Sequence, residues 1–256
     1  MDAALPDPAG LLVLPLGVGD AFSALRYSSC VAVGAEGRWL LVDCPHPVQK
    51  MLREATTRAG LALDAGGIDA VALTHLHADH ASGIESLAYW SFFYRRRKLP
   101  LLVHPAVSAR LWDGHLAAGM EQLLPAVGAD FVRMRLDDYI ELLPLDEAAS
   151  FEYGPFRVEC RRTIHHIPTT ALRIHGAGRT LGYSADTAFD ESLIAWLAEA
   201  DLVIHETNHG VHTPYERLAA LPAELRAKMR LIHYPDDLPE SADAIERLVE
   251  GRLYAI

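Results

Sequence analysis

A chain of 256 residues with an apolar fraction of 50% can bury one large core or two small ones, which excludes disorder as its main state. Its 34 Asp and Glu outnumber 23 Lys and Arg, and the formal charge of −11 excludes a chain-wide basic footprint for nucleic acid or an anionic membrane. The composition stands out in one respect, its 13 histidines, because imidazole is both a common metal ligand and a general acid–base at neutral pH.

Met1 to Gly10 carries Asp2, Asp7 and two prolines where a secretory leader would begin with Lys or Arg. Apolar runs bounded by turn residues then predict strands at Leu11–Leu16, Ser29–Val33, Trp39–Val42 and Ala70–Leu73. Further strands are predicted at Phe156–Cys160, Leu172–Ile174, Thr180–Tyr183, Leu202–His205 and Met229–Ile232. Helical periodicity covers Pro47–Ala59, Ser82–Trp90, Pro105–Leu111, Glu191–Ala200, Pro214–Leu221 and Ser241–Glu250. With no repeat and no long linker, residues 1–256 read as one α/β domain of layered sheets covered by helices. No run reaches a membrane-spanning length, and the widely spaced Cys30, Cys44 and Cys160 offer no disulfide framework, so a soluble cytoplasmic protein is expected.

Asp43, His75, Asp186 and His233 each follow a predicted strand, which would gather polar groups along one rim of the sheets. The segment His75-Leu76-His77-Ala78-Asp79-His80 is the densest such cluster. Leaving a strand, His75 and His77 share a face and can hold one cation, while Asp79 and His80 point elsewhere and can hold a second. Later candidates are the pair His165-His166, then Asp186 after Gly182-Tyr183-Ser184-Ala185, and His233 after Leu231-Ile232. Taken alone, each of these is better explained as an ordinary strand-ending residue.

Together, His75-x-His77-x-Asp79-His80, a later His, an Asp and a final His resemble the metallo-β-lactamase superfamily. The resemblance implies an αββα four-layer sandwich of two mixed sheets, with a two-metal site at one edge. It assigns His75, His77 and His165 to one ion and Asp79, His80 and His233 to the other, with Asp186 bridging both together with a hydroxide. The implied ions are two divalent cations, zinc first, with manganese or iron as alternatives. His165 is preferred to His166 because His165-x-x-Pro168-Thr169-x-x-x-Arg173-Ile174 resembles a stretch of ribonuclease-Z-like members, and neighbours in an extended segment face opposite ways.

Leu16-Gly17-Val18-Gly19-Asp20, Leu41-Val42-Asp43-Cys44, Ile204-His205-Glu206-Thr207 and Val211-His212-Thr213 resemble the ribonuclease Z and phosphodiesterase branch. There a glutamate and a second histidine serve proton delivery, which would make Glu206 and His212, with Asp79, the catalytic residues. Departures include Cys44-Pro45-His46-Pro47 in place of glycines, and Ala185 where Gly is common. The long basic arm that grips transfer RNA is missing, and Arg95-Arg96-Arg97-Lys98 reads equally well as a solvated helix end. The expected function is therefore metal-dependent hydrolysis of a small phosphodiester rather than transfer RNA, by a homodimer as the resemblance implies. A lactone, ester or thioester hydrolase is one alternative, and an iron-binding redox protein is another. His115 is left open between pocket and turn.

Overall fold

Two seven-stranded sheets stacked face to face form the centre of the computed structural model, which describes residues 10–256. The expectation for the N-terminal stretch falls on residues 1–9 and lies outside the described residues. The first half contains β1 (Leu12–Gly17), β2 (Cys30–Ala35), β3 (Arg38–Val42), β4 (Ile68–Leu73), β5 (Leu99–Val103), a short pair β6 (Gln122–Leu123) and β7 (Val132–Arg133), and β8 (Ile140–Pro144). The second contains β9 (Phe151–Tyr153), β10 (Phe156–Arg162), β11 (Thr170–Gly176), β12 (Arg179–Tyr183), β13 (Leu202–Glu206), β14 (Met229–Ile232), β15 (Glu246–Arg247) and β16 (Tyr254–Ala255). Sheet one runs β16-β1-β2-β3-β4-β5-β8 and sheet two β15-β14-β13-β12-β11-β10-β9. Each joins antiparallel strands to a parallel set, β3-β4-β5-β8 in one and β12-β13-β14-β15 in the other.

Alternation along the strands builds the layers. Val13, Val33, Leu40 and Ala72 face Val158, Leu172, Ile174 and Ile204 of the second sheet, forming the core between sheets. Leu14, Leu41, Val71 and Leu73 point the other way, onto helices α1 (Val48–Ala59) and, past α2 (Ala78–Ala81), α3 (Ile84–Trp90). On the far side, helix α4 (Glu191–Leu197) starts where the Asp190 carboxylate accepts from the Ser192 and Leu193 amides, and it packs Leu193 and Leu197 into the core. The result is the expected αββα sandwich. No described helix is long and apolar enough to cross a membrane.

Three local readings change. Ser241–Glu250 is not helical: Glu246–Arg247 extends alongside β14, with Ile245 and Leu248 buried, because that sheet edge offers backbone partners that outweigh helical spacing. The strands at Leu99–Val103 and Ile140–Pro144 carry Pro100 and Pro144, which mask them in the sequence, yet five paired positions align them in parallel. Asp79 and His80 lie within the helical turn α2 rather than in a turn before a helix at Ser82.

Between α2 and α3 the backbone is clamped against the segment after β3. Cys44 N donates to His80 O and Gly83 N to Cys44 O, both at 2.7 Å. A Cβ at Gly83 would lie 2.6 Å from Pro45 O and 2.7 Å from Cys44 O, so only glycine allows this approach. Gly83→Ala is expected to lower stability by about 1–3 kcal/mol, read from the urea midpoint.

Candidate metal centre

The parallel strands end on one rim, and there the candidate residues converge. β4 delivers Thr74, His75 and His77, α2 carries Asp79 and His80, and the loop between β10 and β11 holds His165. Asp186 follows β12 and His233 follows β14. Asp43, Ala185 and His233 all adopt left-handed backbone, with φ of 61°, 50° and 54°, so these strand ends turn sharply into the rim. This explains why glycine would suit position 185.

Asp186 sits at the middle. Its Oδ2 lies 3.7 Å from His75 Nε2 and 3.6 Å from both His165 Nε2 and His233 Nε2, while Oδ1 is 3.3 Å from His80 Nε2. His77 Nδ1 approaches His165 Nε2 to 3.1 Å. Asp79 Oδ2 accepts from His233 Nε2 at 3.1 Å and is 3.4 Å from His80 Nε2. His75, His77, His165 and Asp186 thus present donor atoms within 4.8 Å of one another, and so do Asp79, His80 and His233.

Behind the cluster, Asp43 sets the rings. Its carboxylate accepts from the Thr74 amide and hydroxyl at 2.9 Å, and from His80 Nδ1 at 2.8 Å. Since the Thr74 hydroxyl spends its one proton on Asp43, it accepts from His75 Nδ1 at 2.9 Å. His75 and His80 are therefore both protonated on Nδ1, and Nε2 of each faces Asp186. Neither Nε2 nor Asp186 Oδ1 has a hydrogen-bond partner, though all are buried. At His75 a buried lone pair faces the Asp186 carboxylate, a repulsion that positive charge between them relieves, so a divalent cation fits this donor set of nitrogens and carboxylate oxygens.

The protein's own electrostatics divide the set: burial opposes protonation, but Asp186 and Asp43 raise His80 well above the usual imidazole range, and Asp186 and Asp79 raise His233, so protons on these rings stand where a cation's charge would. Burial, reinforced by His80, holds His75 well below the usual imidazole range, and burial brings His165 down to about 4. Both rings are neutral, as ligation requires. Burial works against ionising Asp79, yet hydrogen bonds from His233 and His80 keep its carboxyl far below the ordinary range. Asp186 is likewise held down, against burial, by His233, His80 and His75.

Beside this cluster stands a second pair. Glu206, buried at the end of β13, accepts from the Thr187 amide at 2.7 Å and from His212 Nδ1 at 2.9 Å. The His212 ring lies 5.3 Å from that of His233 and 5.2 Å from that of His165. Burial opposes its protonation, but the Glu206 hydrogen bond raises it above an ordinary histidine. His212 and His166 open onto a cleft of about 630 Å³, so the two adjacent histidines separate: His165 turns into the cluster and His166 to the mouth.

The other candidates lie elsewhere. His115 Nε2 contacts Ala81 O at 3.3 Å, and His104 caps the helical turn at Pro105–Ser108. Arg95 stacks over Trp90 and Arg97 donates to Ile68 O, which accounts for half of the basic run as packing. Sequence reasoning placed Asp43 on the rim and in a branch-like segment without giving it a role, and it missed Thr74, whose one signal was polarity at the end of a buried run.

The sequence profile of the family described as Anti-Pycsar protein Apyc1 matches residues 11–250. The chain belongs to the Apyc1 anti-Pycsar family. An Apyc1 anti-Pycsar protein from Paenibacillus xerothermodurans is 29% identical over 238 residues, covering 90% of each chain. Another, from Bacillus phage BSP38, is 29% identical over 261 residues, covering 94% of this chain and 96% of its own. Among solved structures, the metallo-β-lactamase fold protein YhfI from Bacillus subtilis superposes with a TM-score of 0.74 at 21% identity, covering 96% of this chain and 99% of its own. The Apyc1 family member described here thus has the metallo-β-lactamase fold that the first motif indicates.

Asp43→Ala would strand His80 and Thr74 without their buried acceptor. A loss of about 3 kcal/mol is expected in denaturant unfolding, more than at an exposed aspartate of the same protein.

Proposed function

We propose that this chain is a metal-dependent phosphodiesterase that opens a small cyclic nucleotide. The observation carrying this reading is the pair of buried Glu206 and half-buried His212 set against a His and Asp cluster that suits cations. The anti-Pycsar name of its relatives we take as pointing to a cyclic nucleotide signal. In this reading His75, His77 and His165 hold one ion, Asp79, His80 and His233 the other, and Asp186 serves both. Zinc suits the nitrogen-rich set, with manganese or iron as alternatives. When bound, two divalent cations supply Lewis acidity, drawing charge from a phosphoryl oxygen and making water acidic enough to attack at neutral pH.

The protein's own groups do the rest. Water adds to phosphorus as the bond from phosphorus to one ester oxygen breaks, giving a phosphomonoester and a free hydroxyl. Asp79 orients the attacking water. His212, fixed through Nδ1 by Glu206, delivers a proton from Nε2 to the departing oxygen, because an alkoxide leaves poorly without one. Asp43 and Thr74 act as positioning residues, holding His75 and His80 by Nδ1 with Nε2 turned toward Asp186.

A small substrate is favoured over RNA. Among the described residues the β6–β7 projection exposes Val127 and Phe131 rather than a row of cations, and the net charge is −11. The shared core between the sheets also supports reading residues 1–256 as one domain.

Purified protein loaded with zinc or manganese is expected to convert a 3′,5′-cyclic nucleotide to its monophosphate, and chelation to abolish the activity. Hydrolysis of lactones with no turnover of any phosphodiester would overturn the reading. His212→Ala is expected to lower kcat about 10²- to 10⁴-fold on a cyclic nucleotide and far less on a nitrophenyl phosphodiester, whose leaving group needs no proton.

A further inference from the structure

Directly outside the rim, Phe22 projects with 91% of its surface exposed, in a loop that is nonetheless tightly held. The Asp20 carboxylate accepts from the Phe22 amide and from Asn208 Nδ2, both at 3.0 Å. Asp236, three residues beyond His233, accepts from Ser23 Oγ and the Ala24 amide at 2.7 Å, from the Leu25 amide at 3.2 Å, and from Arg26 at 2.6 Å. Two carboxylates thus fix the loop on both sides of Phe22, whose exposed ring has no core to join. An exposed large apolar side chain on a pinned loop loses little entropy when it meets a ligand.

The ring borders the same cleft onto which His166 and His212 open, together with Val211 and Pro235. At about 630 Å³ it is of the size that holds a small molecule. Its charges are already committed: Asp20 and Asp236 accept from the loop, and Asp237 pairs with His209 at 3.1 Å. No cation is left over for a second phosphate, while acidic groups ring the mouth and repel one. A ligand spanning cluster and cleft must then place a single anionic group at the rim and a neutral, flat one against Phe22.

Resting on the phosphodiesterase reading, we infer that Phe22 is a specificity-determining residue that stacks on the base of a cyclic mononucleotide. Oligonucleotides and nucleotides with a free polyphosphate are disfavoured by the carboxylates around the mouth.

The test compares the metal-loaded wild type with Phe22→Ala and Phe22→Trp on two substrates, a 3′,5′-cyclic nucleotide and base-free methyl riboside 3′,5′-cyclic phosphate. Phe22→Ala is expected to raise KM for the nucleotide about tenfold with kcat little changed, and to leave the base-free compound untouched, while Phe22→Trp keeps wild-type KM. Equal losses on both substrates, or no loss on either, would overturn the inference. So would dissociation of a wild-type dimer by Phe22→Ala in sedimentation, which would make Phe22 a subunit contact. If the wild type hydrolyses neither compound, the phosphodiesterase reading fails by itself. Calorimetric binding of the nucleotide then decides the base subsite: weakening by Phe22→Ala upholds it, and absence of binding overturns it as well.

Discussion

A single buried carboxylate, Asp43, organises the rim on which everything else depends. It lies at the end of β3 with no exposure to water, and its acceptor capacity is consumed by Thr74 of the next strand and by His80 of the following helical turn. Burial alone would push its carboxyl upward, and the approach of His80 and the Thr74 hydrogen bonds oppose that shift. The arrangement dictates proton positions two residues away, because the Thr74 hydroxyl can donate only once. The Nε2 atoms of His75 and His80 consequently face a second carboxylate, Asp186, at 3.7 and 3.3 Å, and at His75 it is a lone pair that does so. Such a juxtaposition is unfavourable by itself, and it is the kind of local cost that folds retain where chemistry is carried out.

The rim also concentrates backbone strain. Asp43, Ala185 and His233 are non-glycine residues in left-handed conformation, each where a strand stops. The turn after each strand lets the next side chain swing over the sheet ends instead of continuing the pleat. At position 185 a methyl group is carried in a conformation that glycine would take freely, and it is buried against the core.

Much of this was legible in the sequence because two short-range rules apply. The period-2 alternation of β1, β3 and β4 reveals which residues face the other sheet, and the spacing of His75 to His80 brings four donors together whatever the remainder of the chain does. His165 could be separated from His166 because alternation lets only one of two neighbours face the cluster and the ribonuclease-Z-like stretch from His165 to Ile174 indicates which. The rest depended on contacts between distant segments. Helical spacing at Ser241–Glu250 gave way to an unpartnered sheet edge, and the prolines of β5 and β8 concealed strands that parallel neighbours enforce. The aromatic mouth could not be read at all, because Asp236 reaches Ser23 across more than two hundred positions.

The two layers contribute unequally to the cluster. His75, His77, Asp79 and His80 come from the first, while His165, Asp186 and His233 come from the second. Neither half of the chain contains a complete set of donors, so in the proposed metal-bound protein cation affinity would gauge how closely the layers dock. Contacts such as those of Val33 and Ile174 in the core between sheets would then be thermodynamically linked to ion occupancy without touching an ion. On that reading, loosening the interior and loosening the grip on a cation would be the same event seen from two places.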